Sequence, residues 1–239
     1  MSKKYELVVD DTITFWGWKL FRIKALISFG SVDAGDLGGY IYTEDNLSQK
    51  GDAWVSGDAK VWGNAKVSGN AKVWGDAEVS GDAKVWGDAW VSGDAEVWGD
   101  AWVSGNAKVS GDAKVWGNAK VSGDAKVWGN AKVSGNAEVW GNAKVWGDAK
   151  VWGNAKVSGN AEVSGDAKVS DFEDVIVFKN HWSSGRHFTY TKSNKMWRVG
   201  CFYGTGQELI DKAYRDSEKS GNYYKAYVEF IASLEGLGE

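Results

Sequence analysis

From Gly51 to Ser170 the chain repeats one six-residue phrase, G-[D/N]-A-[K/E/W]-V-[W/S], twenty times with no insertion or deletion. Successive side chains of an extended segment point to opposite faces. In each phrase Ala and Val therefore face one way, and the Lys, Glu, Trp and Ser positions face the other. Gly followed by Asp or Asn supplies a bend, because these residues tolerate positive φ. A strand this short, bending every six residues, cannot build hairpins. It must coil, with equivalent strands of successive coils stacked in parallel, as self-similarity at a fixed period requires.

An aliphatic residue followed at fixed distance by a small one, as in Val61-Trp62-Gly63-Asn64-Ala65-Lys66, resembles the hexapeptide-repeat family. The resemblance implies a mainly β protein: a left-handed parallel β-helix, a triangular solenoid with three hexads, 18 residues, in each coil. Handedness comes from the resemblance alone, since parallel connections are ordinarily right-handed. The residue after the aliphatic one is Trp or Ser here, where the family usually has a small or acidic one.

Three segments follow. Residues 1–50 are expected to form an N-terminal β cap ending in one degenerate coil over 33–50, with Ile41 and Thr43 at the Ala and Val positions and Leu47 at the next Ala position. Residues 51–170 are the β-helix, and 171–239 a C-terminal module of strands and two helices. In the cap, strands are expected at 5–9, 12–16 and 18–26, with Gly17 in a turn. In the module, a strand at 174–178 precedes a hairpin of 187–192 and 195–199 about Ser193-Asn194. Thr205-Gly-Gln-Glu208 is a capping box opening a helix to about Lys219. Ser220-Gly221-Asn222 is expected to break it before a second helix over 223–234.

Bulk properties exclude several classes. The net charge of −4 names no partner. No apolar run is long enough for a membrane span, and the segment from Met1 to Glu6 leads into no signal-peptide h-region. The single Cys201 precludes an internal disulfide and fits a reducing cytoplasm. Proline is absent, as stacked parallel strands prefer.

Two features of the outer surface invite a functional reading. Twelve Trp project from the repeat, five, four and three on its three faces. That even spread favours indoles lying over small neighbours and lysine stems, with a binding platform as the alternative. The Asp58, Asp76, Asp94, Asp112, Asn130, Asp148, Asp166 column favours a solvated acidic edge over weak capture of a hard cation.

The candidate site lies in the C-terminal module. Val175 to Gln207 contains no acid, and its cations are interleaved with aromatics. Lys192, Lys195, Trp197, Arg198, Lys179, Arg186 and Tyr190 are the candidate partner-binding residues, a pattern that single-strand nucleic-acid surfaces also use. An ordinary hairpin with one packed face is the plainer alternative. Catalysis finds little support. Many hexapeptide-repeat proteins are acyltransferases using a histidine near a loop that escapes the coils, but these repeats contain neither. His181 and His187 lie outside them, and no nucleophile, metal or phosphate-loop motif appears. No catalytic residue, metal or cofactor is expected.

The whole layout, including Leu20-Phe-Arg-Ile-Lys-Ala-Leu26, Gly35-Asp-Leu-Gly-Gly-Tyr40 and Gly200-Cys-Phe-Tyr-Gly-Thr205, also resembles phage, prophage and gut-bacterial proteins with no activity to transfer. Together these readings give a non-enzymatic structural or binding protein, an accessory protein of a phage or prophage in the host cytoplasm. The expected partner is a macromolecule, most simply a protein, with nucleic acid and a second copy as further options. Inhibition of a host factor through the C-terminal module and acyl transfer are the alternatives.

Overall fold

The hexads close into a three-sided parallel solenoid, seen in a computed structural model that describes residues 3–237. Met1 and Ser2, which open the stretch read for a signal peptide, lie outside the described residues. Each hexad forms one two-residue strand, from β4 (Trp54–Val55) to β23 (Lys168–Val169). Each strand up to β20 (Lys150–Val151) pairs with the one three hexads further on, as in Lys108↔Lys126 and Val109↔Val127. The period is therefore 18 residues, and the twenty strands divide into faces of seven, seven and six, about seven coils.

Alternation sets the core. The Ala and Val of every hexad are at most 1% exposed, and they form one continuous column. At roughly 1.5–3 kcal/mol for each buried Val, no coil is stable alone, so neighbours hold one another. The bend needs glycine: the corner glycines from Gly51 to Gly165 have φ between 64° and 74°. Between coils, Lys108 N donates to Ala125 O and Ser110 N to Val127 O, both at 2.9 Å.

Such a stack leaves unpaired backbone at each end, a liability for any sheet edge. At the N-terminal end a cap closes all three faces. Strand β1 (Tyr5–Phe15) forms a hairpin with β2 (Trp18–Ala25), and β2 pairs antiparallel with β3 (Leu37–Ile41). One continuous β1, with a bulge between Val8 and Thr12, replaces the two strands expected over 5–16. β3 then pairs in parallel with the first coil, Tyr40 N donating to Ala59 O at 2.9 Å and Tyr42 N to Val61 O at 3.0 Å. On the second face, Asn46 Nδ2 donates to Gly63 O (3.0 Å) and Ala65 O (2.8 Å). On the third, Lys4 Nζ donates to Gly51 O (3.2 Å) and Ala53 O (2.9 Å).

The degenerate coil exists, but its register differs from the expected one. Ile41 pairs with Val61 and Leu47 with Val67, an offset of 20 residues in place of 18. The two extra residues lie between Leu47 and Trp54, because Trp54 pairs with Lys72 at the regular offset of 18; the 3-10 turn Glu44–Asn46 before them aims Asn46 at the open carbonyls.

Lys4 is 2% exposed. Burial pushes its ammonium from the ordinary 10.5 down to about 8, with Asp52 opposing the shift. Above that value the unfolded chain holds more protons than the folded one, so this group adds stability as pH rises towards 10.5. We expect the thermal midpoint to climb from about pH 8 to pH 9.5, before tyrosines ionise, and Lys4→Met to flatten that climb. A scanning-calorimetry pH series measures it.

The C-terminal module is a sheet in the order β24 (Val175–Lys179), β25 (His187–Thr191), β26 (Met196–Val199), β27 (Phe202–Gly204), followed by α1 (Gly206–Asp216) and α2 (Glu218–Glu235). The Thr205–Glu208 capping box opens α1. The helices part earlier than expected, at Ser217, whose hydroxyl accepts from Ser220 N. Gly221 lies inside α2, and a side chain there would collide with the Tyr214 ring, so that glycine serves helix packing and breaks nothing.

Candidate functional site at the junction of rod and C-terminal module

The residues of the acid-free stretch separate by strand alternation. On β25 and β26, Phe188, Tyr190 and Trp197 face the helices and build the module core with Leu209, Ala213, Tyr224 and Ile231. Tyr190 and Trp197 are cross-strand partners, 2% and 1% exposed, with rings 5.0 Å apart. The Tyr190 hydroxyl donates to Glu235, and burial with that carboxylate pushes its pKa up. Both aromatics read as candidate contacts are thus interior residues, and neither presents its ring to a partner.

The opposite side of the same strands meets the rod. Thr189 Oγ1 accepts from Glu162 N at 3.0 Å, and Ser193 Oγ accepts from Lys168 N at 2.9 Å. Asp174 accepts from Ser170 N at 2.7 Å, and Asn194 Nδ2 donates to Asp166 at 3.0 Å, a bond that holds the Asp166 carboxyl below its usual range. Two faces of the last coil are closed in this way. The third ends at β21 (Lys156–Val157), the last strand of its sheet, beyond which the chain passes through the 3-10 turn Phe172–Asp174 to Val175, which packs on the core.

Arg198, opposite Thr189 on β26, also points at the rod. Its guanidinium lies 4.9 Å from the Trp146 ring centroid, and Nε is 3.7 Å from Glu162, which Lys144 also meets at 2.8 Å. Trp128 stacks beneath Trp146, with centroids 4.8 Å apart and planes within 5°. These groups line a cleft of about 550 Å³ with Arg186 and His187 at its rim. Arg198 is consumed by this junction. Lys179, Arg186 and Lys195 are exposed and Lys192 half-buried. Lys195 approaches Glu235 to 3.8 Å, so acids from outside the acid-free stretch partly neutralise it.

The histidines are separate. His181 packs edge-on against Trp182 and Tyr223. His187, Cys201 and Asp216 line one pocket of about 260 Å³, but no hydrogen bond joins them among the described residues. No group of three metal-ligating side chains occurs among the described residues. No helix there is long and apolar enough to cross a membrane.

On the rod, indoles pair with one another more than the even spread suggested. Trp98 stacks on Trp116 at 5.0 Å, and Trp74 and Trp86 meet Trp90 and Trp102 edge-on. Lysine stems do join them: Lys108 Nζ is 4.1 Å from the Trp90 ring centroid. At the corners, asparagines bridge coils by donating to the next carboxylate, as Asn64 does to Asp82 and Asn130 to Asp148, both at 2.9 Å.

A family model described as "Bactofilin: Polymer-forming cytoskeletal" matches residues 67–174. This corrects the hexapeptide-repeat assignment. The short small-and-aliphatic phrase fixes a coil, and bactofilins are also β-helical, so the phrase alone did not fix the family. No curated protein matches the chain, and nothing ties it to a phage or prophage. What fold and comparison define is a β-solenoid protein similar, over its rod, to a family of structural, non-enzymatic polymer formers.

Proposed function

We propose that this protein is a non-enzymatic structural rod that assembles with copies of itself. The similarity of residues 67–174 to the polymer-forming bactofilin family carries this reading. The ends support it and direct it. The N-terminal carbonyls are taken by β3, Asn46 and Lys4, so bare coils cannot stack head to tail. At the other end no strand pairs beyond β21, which makes that end the better candidate for pairing between copies. The first contact between copies is therefore tail to tail, as two-fold pairs commonly form.

The cytoskeletal description of that family supports a cytoplasmic location. The exposed Lys179, Arg186 and Lys195 and the half-buried Lys192 belong to the module at the same end, and they would attract an anionic protein surface in a salt-sensitive way. Nucleic acid is a weaker fit, because Glu235 meets Lys195 and Glu162 takes Arg198. An accessory role in a phage or prophage is a narrower reading that rests on the sequence layout alone. Sedimentation velocity over a concentration series tests the proposal. The mean mass should rise from monomer to dimer as concentration increases. A single monomeric species at every concentration would remove the basis for a structural polymer.

A further inference from the structure

The hairpin that helps to close the N-terminal end also carries an exposed, strained aromatic. Phe15 pairs with Trp18, leaving Trp16 and Gly17 as a two-residue turn with φ of 48° and 81°. Turns of this kind favour Asn followed by Gly. A bulky residue at positive φ is an outlier, and the Trp16 side chain is 80% exposed. It therefore contributes neither turn geometry nor core packing. Strain held at an exposed tip is a reason to look for a ligand.

The tip overhangs a cleft of about 570 Å³ on one face of the rod. Phe15 and Trp16 form one wall. Trp62 and Trp98 stand two coils apart in one column, and Ser80 occupies the coil between them. At about 4.8 Å per coil, that serine leaves the space of one indole vacant. Phe15 meets Trp62 edge-on at 5.2 Å.

Glu78 and Glu96 also line the cleft, side by side as partners in successive coils. Lys114 takes Glu96 at 2.7 Å. Lys60 Nζ is held by the Asp58 carbonyl at 2.9 Å and lies 5.0 Å from the Phe15 ring centroid. Glu78 has no ion pair among the described residues, and burial, then the neighbouring Glu96, pushes its carboxyl up. The cleft is thus aromatic-walled, and its lining holds two carboxylates and no cation. An anion would meet two carboxylates. A hard metal ion wants several oxygens, and no metal-holding cluster occurs among the described residues. Aromatic faces beside a carboxylate suit a weakly hydrated cation instead.

We propose that this cleft binds an organic cation, a methylated ammonium group held between Trp16, Trp62 and Trp98 and neutralised by Glu78. A trimethyllysine side chain and a small quaternary ammonium compound both offer that chemistry.

The full chain is titrated calorimetrically with a peptide carrying one trimethyllysine, and with the same peptide carrying its neutral tert-butyl isostere. The trimethyllysine peptide should bind at least tenfold more tightly. Trp16→Asn keeps a residue suited to the turn, and Glu78→Gln keeps the shape of the floor. Each should weaken binding tenfold or more while the thermal midpoint holds. Tetramethylammonium chloride should displace the peptide, which assigns recognition to the head group. Equal binding of the isostere, undiminished binding by W16N, failure of tetramethylammonium to displace the peptide, or no binding at millimolar peptide would each overturn the assignment.

Discussion

Val109→Asp should leave the chain unable to fold. Val109 is 0% exposed and lies between Val91 and Val127 in the core column. The substitution loses about 1.5–3 kcal/mol of burial. It also puts a carboxylate where no partner can reach it, at a cost of several kcal/mol. Domains of ordinary stability have about 5–15 kcal/mol in total. Circular dichroism should show lost β signal. Trp116→Ser, on the outside of the same rod, removes one stacked pair worth about 0.5–1.5 kcal/mol and should leave the fold intact. A folded Val109→Asp protein would mean that the core is not continuous through that coil.

Asn46→Leu should be the most damaging change outside the coils. Asn46 is 1% exposed and makes four bonds. Its Nδ2 serves two first-coil carbonyls, and its Oδ1 accepts from Tyr42 N (3.1 Å) and Thr43 N (2.8 Å). Leucine is close in size but leaves Thr43 N and the Gly63 and Ala65 carbonyls unpaired, while Tyr42 N keeps Val61 O, at about 1–3 kcal/mol for each group kept from water. We expect a loss of at least about 3 kcal/mol on that basis in urea unfolding. Faster hydrogen exchange should appear at Thr43 while the middle coils stay protected. Uniform loosening of every coil would show that the cap and the rod are not separable in this way.

The rod was legible because each hexad states its own structure. Glycine at the corner, alternation along the strand and the unbroken count give coil, period and core together. The ends were less legible for a physical reason. Asn46 and Lys4 look like surface residues until the coil they plug is present, and the offset of Ile41 from Val61 is set by two extra residues between Leu47 and Trp54, which no repeat marks. In the C-terminal module the alternation of β26 was visible, but not which side would meet the rod. Trp197 went inward and Arg198 to the junction, although both had been grouped as contacts. Gly221 resembled a helix break because a glycine demanded by a neighbouring ring looks the same as one demanded by a turn. The Trp16 cleft joins residues up to 84 positions apart (Thr14 to Trp98), which no local pattern brings together.

The central claim is a structural rod, closed at its N-terminal end, that joins copies through its C-terminal end. Gold labels placed on the N-terminal segment and viewed by electron microscopy test it most directly. The account predicts paired rods with labels at the two outer ends and none at the junction. Unpaired rods at every concentration, or labels meeting at the junction, would contradict it.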